Sequence, residues 1–267
     1  MRSVCVSLLA LALLAAGCGG STRSHTRSKT AASGGTAGPG TTISVHVPAS
    51  LLHLPPTDQN GRRVSLASFA GTTVLLVPFL TLCQDVCPLT TGNLLQVEQS
   101  LDADNEASNV EIVELSVDPG RDTPQRLLAY AKLTHILNYI KFSYAKWELV
   151  TEPPGELRAL AKFFGFSYQK VPEEKPAGID WLTGRPLSYD VDHSDNYFVI
   201  DPSGVERVAQ DAAPDFRGIL NPKLYGFLSE LGRQHLGHPA QPAWTPADAL
   251  QALAVSVGRR LPVGGLD

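Results

Sequence analysis

Two cysteines four apart, Cys83 and Cys87, are the residues best suited to chemistry in this 267-residue chain. They sit in the run Phe79-Leu-Thr-Leu-Cys-Gln-Asp-Val-Cys-Pro88, after an apolar stretch from Val74 to Leu80. Proline fits the first helical position and disfavours the α region for the residue before it. A helix is therefore expected to start at Pro88, with Cys87 as its cap. Cys83 then lies one turn earlier, in the strand-to-helix loop. The positive end of the helix favours thiolate, the form that attacks disulfides and binds soft metals. Residues four apart on a regular helix hold their Cβ atoms about 5–6 Å apart, whereas a disulfide wants about 3.5–4.5 Å. Closing Cys83–Cys87 needs the loop to bend inward, and a bond that needs such adjustment is labile.

The leader bears on where this chemistry happens. Arg2 precedes an apolar run from Val4 to Ala16, too short to span a bilayer and suited to a secretory signal. Leu14-Ala-Ala-Gly-Cys18 resembles a bacterial lipoprotein box, which would leave Cys18 at the mature N-terminus for acylation. The plainer alternative is a cleaved signal with an incidental cysteine. From Gly19 to about Thr42 the chain is Gly, Ser, Thr and Ala with scattered Arg and Lys, a composition that cannot bury a core. A tether of about 24 such residues reaches roughly 25–30 Å, enough to hold a domain just off a membrane surface. The expected division is a signal over 1–17, a tether over 18–42, a folded domain over 43–235 and an extension over 236–267.

A formal net charge of −4 and the lack of a basic patch argue against nucleic acid as a partner. An extracytoplasmic setting permits disulfides, yet the mature body keeps one close cysteine pair besides Cys18. That points to a working site more than to a staple.

Strands and helices that must position the pair alternate along the chain. Asp58-Gln-Asn-Gly61 reads as a turn, and the uninterrupted apolar run Val74 to Leu80 as a central strand. The helix from Pro88 carries Leu94, Val97 and Leu101 on one face. Val110 to Val117 alternates as a strand, and Asp122 or Thr123 caps a helix begun at Pro124. A strand near Trp147 to Val150 leads to a helix from Pro153-Pro154 to Phe164. Tyr168 to Val171 and Leu187 to Val191 are predicted as two arms around an inserted loop. Tyr197 to Asp201 and Val205 to Val208 form a hairpin about Pro202-Ser-Gly204, and a helix is expected over Asp215 to Leu231. Thr245-Pro246 starts a last helix with Leu250, Leu253, Ala254, Val257 and Leu261 at helical spacing, expected to dock on its own domain. The fold class is α/β, a mixed sheet flanked by helices.

Three segments, in order, resemble the Sco/SenC family of thioredoxin-like proteins that bind copper and help assemble cytochrome c oxidase. They are Cys83-Gln-Asp-Val-Cys87-Pro88, Ser116-Val-Asp-Pro-Gly-Arg-Asp-Thr-Pro124, and Val191-Asp-His-Ser194 with Tyr197-Phe-Val-Ile-Asp-Pro-Ser-Gly204. The resemblance covers about residues 45 to 235. It implies a thioredoxin-like fold with an inserted hairpin, and copper ligands at Cys83, Cys87 and His193. Gln84 departs from the family pattern, which usually has proline there. Two Cys and one His suit Cu(I), and the imidazole makes Cu(II) tolerable; zinc would accept the same donors plus water. His235 and His238 offer at most a weak metal pair.

Two functions fit this resemblance. One is a lipid-anchored metallochaperone on the outer face of a bacterial cell membrane, handing copper to a cytochrome c oxidase subunit or another copper acceptor. The other is a thiol–disulfide oxidoreductase in which Cys83 and Cys87 are the redox pair that keeps a target's copper-ligand cysteines reduced. A structural lipoprotein with a fossil site is the bland third reading. Nothing resembles a peroxidatic Thr-x-x-Cys site.

Overall fold

The computed structural model describes residues 37–138, 146–257 and 261. The leader, Cys18, most of the expected tether, and Arg259 and Arg260 lie outside the described residues.

The chain runs through β1 (Thr41–His46), the short α1 (Ala49–Leu52), β2 (Thr57–Asp58), β3 (Thr73–Phe79), α2 (Cys87–Ala103), β4 (Val110–Ser116) and α3 (Pro124–Leu133). It continues through β5 (Lys146–Thr151), α4 (Pro154–Phe164), β6 (Tyr168–Val171), β7 (Asp190–His193), β8 (Asn196–Ile200) and β9 (Val205–Asp211). Last come β10 (Ala213–Pro214), α5 (Pro222–Tyr225), α6 (Glu230–His235), β11 (Ala243–Trp244) and α7 (Pro246–Val257).

Seven strands form the main sheet in the order β1-β9-β8-β3-β4-β5-β2. β3, β4 and β5 run parallel, whereas β8 is antiparallel to β3 and β9 to β8. A β3-α2-β4 crossover followed by the β8-β9 hairpin and a closing helix is the thioredoxin-like arrangement. The apolar run predicted as a central strand is β3, buried along its whole length, as a strand covered on both faces must be. Pro78, which has no N–H to donate, lies beyond the last β3–β8 pair, Leu76↔Phe198.

β4 alternates in polarity but not in burial, because helices cover both faces. Its Glu114 is accommodated by accepting from the Thr91 hydroxyl at 2.7 Å and the Trp147 indole at 3.0 Å. Leu94, Val97 and Leu101 of α2 are buried as expected, and so are most other residues of that helix. The last helix, α7, does dock on its own domain: Ala249, Leu250, Ala252 and Leu253 are fully buried in the main core. α7 lies against α2 and the β3, β8 and β9 strands. Among the described residues no helix is long and apolar enough to cross a membrane.

Four local expectations need correction. The helix expected over Asp215–Leu231 is broken. The backbone at Gly218 approaches Gly92 so closely that a Cβ would sit 1.9 Å from the Gly92 carbonyl oxygen. Pro222 cannot continue a helix, and Asn221 and Ser229 cap two short helices instead. The second insert arm is Asp190–His193, not Leu187–Val191. Tyr168 pairs with His193, while Leu187 packs with Leu82, Leu224 and Phe227 in a second small core. Asp122 is not a cap; Thr123 is, accepting from the Arg126 N–H. Cys87 is the first helical residue, with Val86 in the cap position.

Candidate metal centre

The loop carrying Cys83 is held at both ends. At its start the Thr81 N–H donates to Asp122 at 3.2 Å, and the Thr81 hydroxyl donates to the other carboxylate oxygen. Ser116, at the end of β4, donates to the same carboxylate at 2.6 Å. Asp122 thus ties the ends of two parallel strands together, and burial pushes its carboxyl up to about 6. The Trp181 indole donates to the Thr81 carbonyl at 2.7 Å, and Arg126 binds Asp180 through both nitrogens at 3.0 and 2.8 Å. These bonds fasten the insert over the loop.

At its far end the loop becomes α2. The Cys87 N–H donates to Cys83 Sγ at 3.3 Å, so the first thiol takes up one of the free donors at the helix start. The insert hairpin brings the third group: His193, last residue of β7, holds Nε2 at 3.3 Å from Cys87 Sγ. Its Nδ1 donates to the Ser194 carbonyl at 3.1 Å, which turns Nε2 toward the sulfurs. Cys83 Sγ, Cys87 Sγ and a His193 nitrogen all lie within 4.8 Å of one another. The structure brings all three sequence-predicted metal residues to one place.

The two thiols are not equivalent. Hydrogen bonding with Cys87, and then with His193, holds the Cys83 thiol well below the ordinary range despite its burial. Burial, together with the neighbouring Cys83, pushes the Cys87 thiol well above it. Burial alone would lower the His193 imidazole, but the Cys83 thiolate outweighs it and pushes the ring up to about 9. Cys83 Sγ accepts from the Cys87 N–H, and Cys87 Sγ lies against His193 Nε2, so the three groups share their protons as one cluster. Soft metals displace such protons on binding.

The cluster opens into a cavity of about 410 Å³ whose walls include Cys83, His193, Asp85, Asp190, Asp195 and His235. Burial raises the Asp85 and Asp190 carboxyls and pushes Asp195 up to about 6. Gln84, the departure from the family pattern, donates to Glu173 at 3.2 Å and accepts the Ser229 N–H at 2.7 Å through its carbonyl. The loop is thereby clasped from two sides. His235 donates from Nδ1 to Asp85 at 2.8 Å. No local sequence signal joins residues 150 apart.

A thioredoxin-like sheet that delivers two cysteines and a distant histidine to one point defines a protein with a thiol-pair and imidazole donor set. The chain belongs to the SCO1/SenC family, whose model matches residues 55–213. It is 26% identical over 174 residues to the SCO1 protein homolog of Bacillus subtilis, across 65% of this chain and 77% of that protein. With the mitochondrial SCO1 homolog 1 of Arabidopsis thaliana it shares 30% identity over 145 residues, 54% of this chain and 36% of that one. The crystal structure of Arabidopsis thaliana ScoI with copper bound is 25% identical with a TM-score of 0.48, covering 59% of this chain and 85% of that chain.

Proposed function

We propose that this protein is a copper-binding metallochaperone serving the copper-centre assembly of cytochrome c oxidase or another copper acceptor. In this reading it works outside the cytoplasm, held to the membrane by a lipid on Cys18 and a tether over 18–42. Copper is its cargo. The observation that carries the reading is the donor set: two sulfurs and one imidazole nitrogen within 4.8 Å, with Cys83 and His193 lining an open cavity. Cu(I) favours soft thiolates in low coordination, and three such donors suit it better than harder cations. Membership of the SCO1/SenC family supports the same cargo.

Anaerobic titration of the reduced protein with Cu(I) against a competing chelator tests it. The expected result is tight binding of one equivalent, abolished in Cys83→Ala and weakened in His193→Ala. An unchanged affinity in His193→Ala would remove that residue from the ligand set.

A second reading, a thiol–disulfide reductase, rests on the placement of the thiols. Cys83 lines the open cavity while Cys87 does not, which suits an attacking and a resolving cysteine. This reading expects Cys87→Ser to trap a mixed disulfide through Cys83, with little dependence on His193.

A further inference from the structure

We propose that His235 is an accessory metal ligand on the cavity wall, positioned by Asp85, which takes the ion as it moves between the buried cluster and the outside. The inference rests on the copper reading above but concerns a residue beyond the segment that the family model matches, which ends at 213.

Metal-binding histidines almost always donate their other ring N–H to a carboxylate or carbonyl, which fixes the ring and makes the free nitrogen more basic. His235 has this arrangement. Its Nδ1 donates to Asp85 Oδ1 at 2.8 Å, and among the described residues its Nε2 has no hydrogen-bond partner. The ring lines the same cavity as Cys83 and His193. Its side chain is 12% exposed, so it is reached from the cavity more than from bulk solvent.

The backbone holds this ring in register with the cysteines. The Ser229 N–H donates to the Gln84 carbonyl, and the Ser229 hydroxyl caps α6 by accepting from Gly232 at 2.9 Å. Gly232 packs so tightly on the loop that a Cβ would lie 2.4 Å from the Gln84 carbonyl oxygen. A simple latch over the loop could use Lys or Arg against Asp85. An imidazole adds what they lack, a nitrogen lone pair.

An ion bound to two sulfurs and His193 leaves by losing donors one at a time. A donor on the exit wall offers a new bond before the old one is lost, which speeds exchange. His235 lies outside the set of donors within 4.8 Å of one another, as a way station should.

The test uses the full-length chain, Cu(I) as the probe, and two readouts. In the first, ¹⁵N NMR follows the His235 ring nitrogens during anaerobic Cu(I) addition to the wild type and to a Cys83→Ser/Cys87→Ser variant. Nε2 is expected to shift in the variant, and in the wild type once the first equivalent is bound. In the second, stopped flow follows extraction of Cu(I) by a small chelator. His235→Ala and His235→Lys, the latter able to pair with Asp85 but offering no imidazole nitrogen, are each expected to slow extraction about tenfold, in line with the effect of removing groups around a metal site. A stationary His235 resonance in both backgrounds, or wild-type extraction from His235→Lys, would overturn the proposal. If the sulfurs take no copper, the chaperone reading fails and the way-station role falls with it, whatever the His235 resonance does. If the sulfurs are metallated and His235 stays still, only His235 falls.

Discussion

The His193 Nε2 atom lies 3.3 Å from Cys87 Sγ, although 106 residues separate the two. The hairpin β6–β7 makes this contact, by pairing Tyr168 with His193 at the end of the insert. Because His193 also helps lower the Cys83 pKa, its loss has a consequence without any metal. His193→Ala is expected to raise the Cys83 pKa toward the ordinary thiol range. Alkylation by a small uncharged reagent would then reach half its maximal rate at higher pH than in the wild type. A pH profile that does not move would mean that the Cys87 bond alone sets the Cys83 charge.

Asp122 is the second target. Its carboxylate receives Thr81 N–H, Thr81 hydroxyl and Ser116 hydroxyl, all buried. Asp122→Ala leaves these donors unpaired at the base of the cysteine loop, at a cost of about 2–4 kcal/mol. Chemical denaturation should register that loss, and Cu(I) affinity should fall with it because the loop is no longer fixed. Equal stability in the variant would show that the donors find other partners.

Much of this frame was legible in the sequence, for local reasons. An unbroken apolar run makes β3, and Thr123-Pro124 caps and starts α3 with residues adjacent in the chain. Cys83, Cys87 and Pro88 advertise themselves by type and spacing. What could not be read from local pattern are close approaches between distant segments. The broken stretch after Asp215 follows from backbone at Gly218 meeting Gly92, which no periodicity reports. Of Asp122 and Thr123, either of which could cap α3 by sequence, Asp122 is drawn inward by Thr81 and Ser116. In the sequence only the family resemblance puts His193 at the thiols, and nothing aims His235 at Asp85.

Stability should depend on pH through buried carboxyls. Burial, with a smaller push from the Glu148 charge, raises Glu111 to about 8, and burial raises Glu114 to about 7. An unfolded chain holds Glu near 4.3. The folded state therefore binds protons more tightly than the unfolded state. The resulting stabilisation is complete below the unfolded value and is lost as pH rises through 7 to 8. Denaturation midpoints should fall between pH 5 and pH 9, and Glu111→Gln should flatten part of that slope. An identical slope in the variant would assign the pH dependence to other groups.

The C-terminal helix offers the last test, because it completes the core instead of decorating it. Leu250 and Leu253 are fully buried, and α7 lies over α2, the helix that begins at Cys87. Leu250→Ala should cost about 2–5 kcal/mol through lost transfer energy and a residual cavity. Ending the chain at Pro242 removes the whole helix and uncovers the α2 and sheet surfaces that it seals. That truncated protein should lose its cooperative thermal transition and aggregate, and the thiol pair should become freely alkylated as α2 loosens. A truncation that melts like the wild type would mean that the sheet and α2 hold the cysteine loop without α7, leaving this helix free for another role.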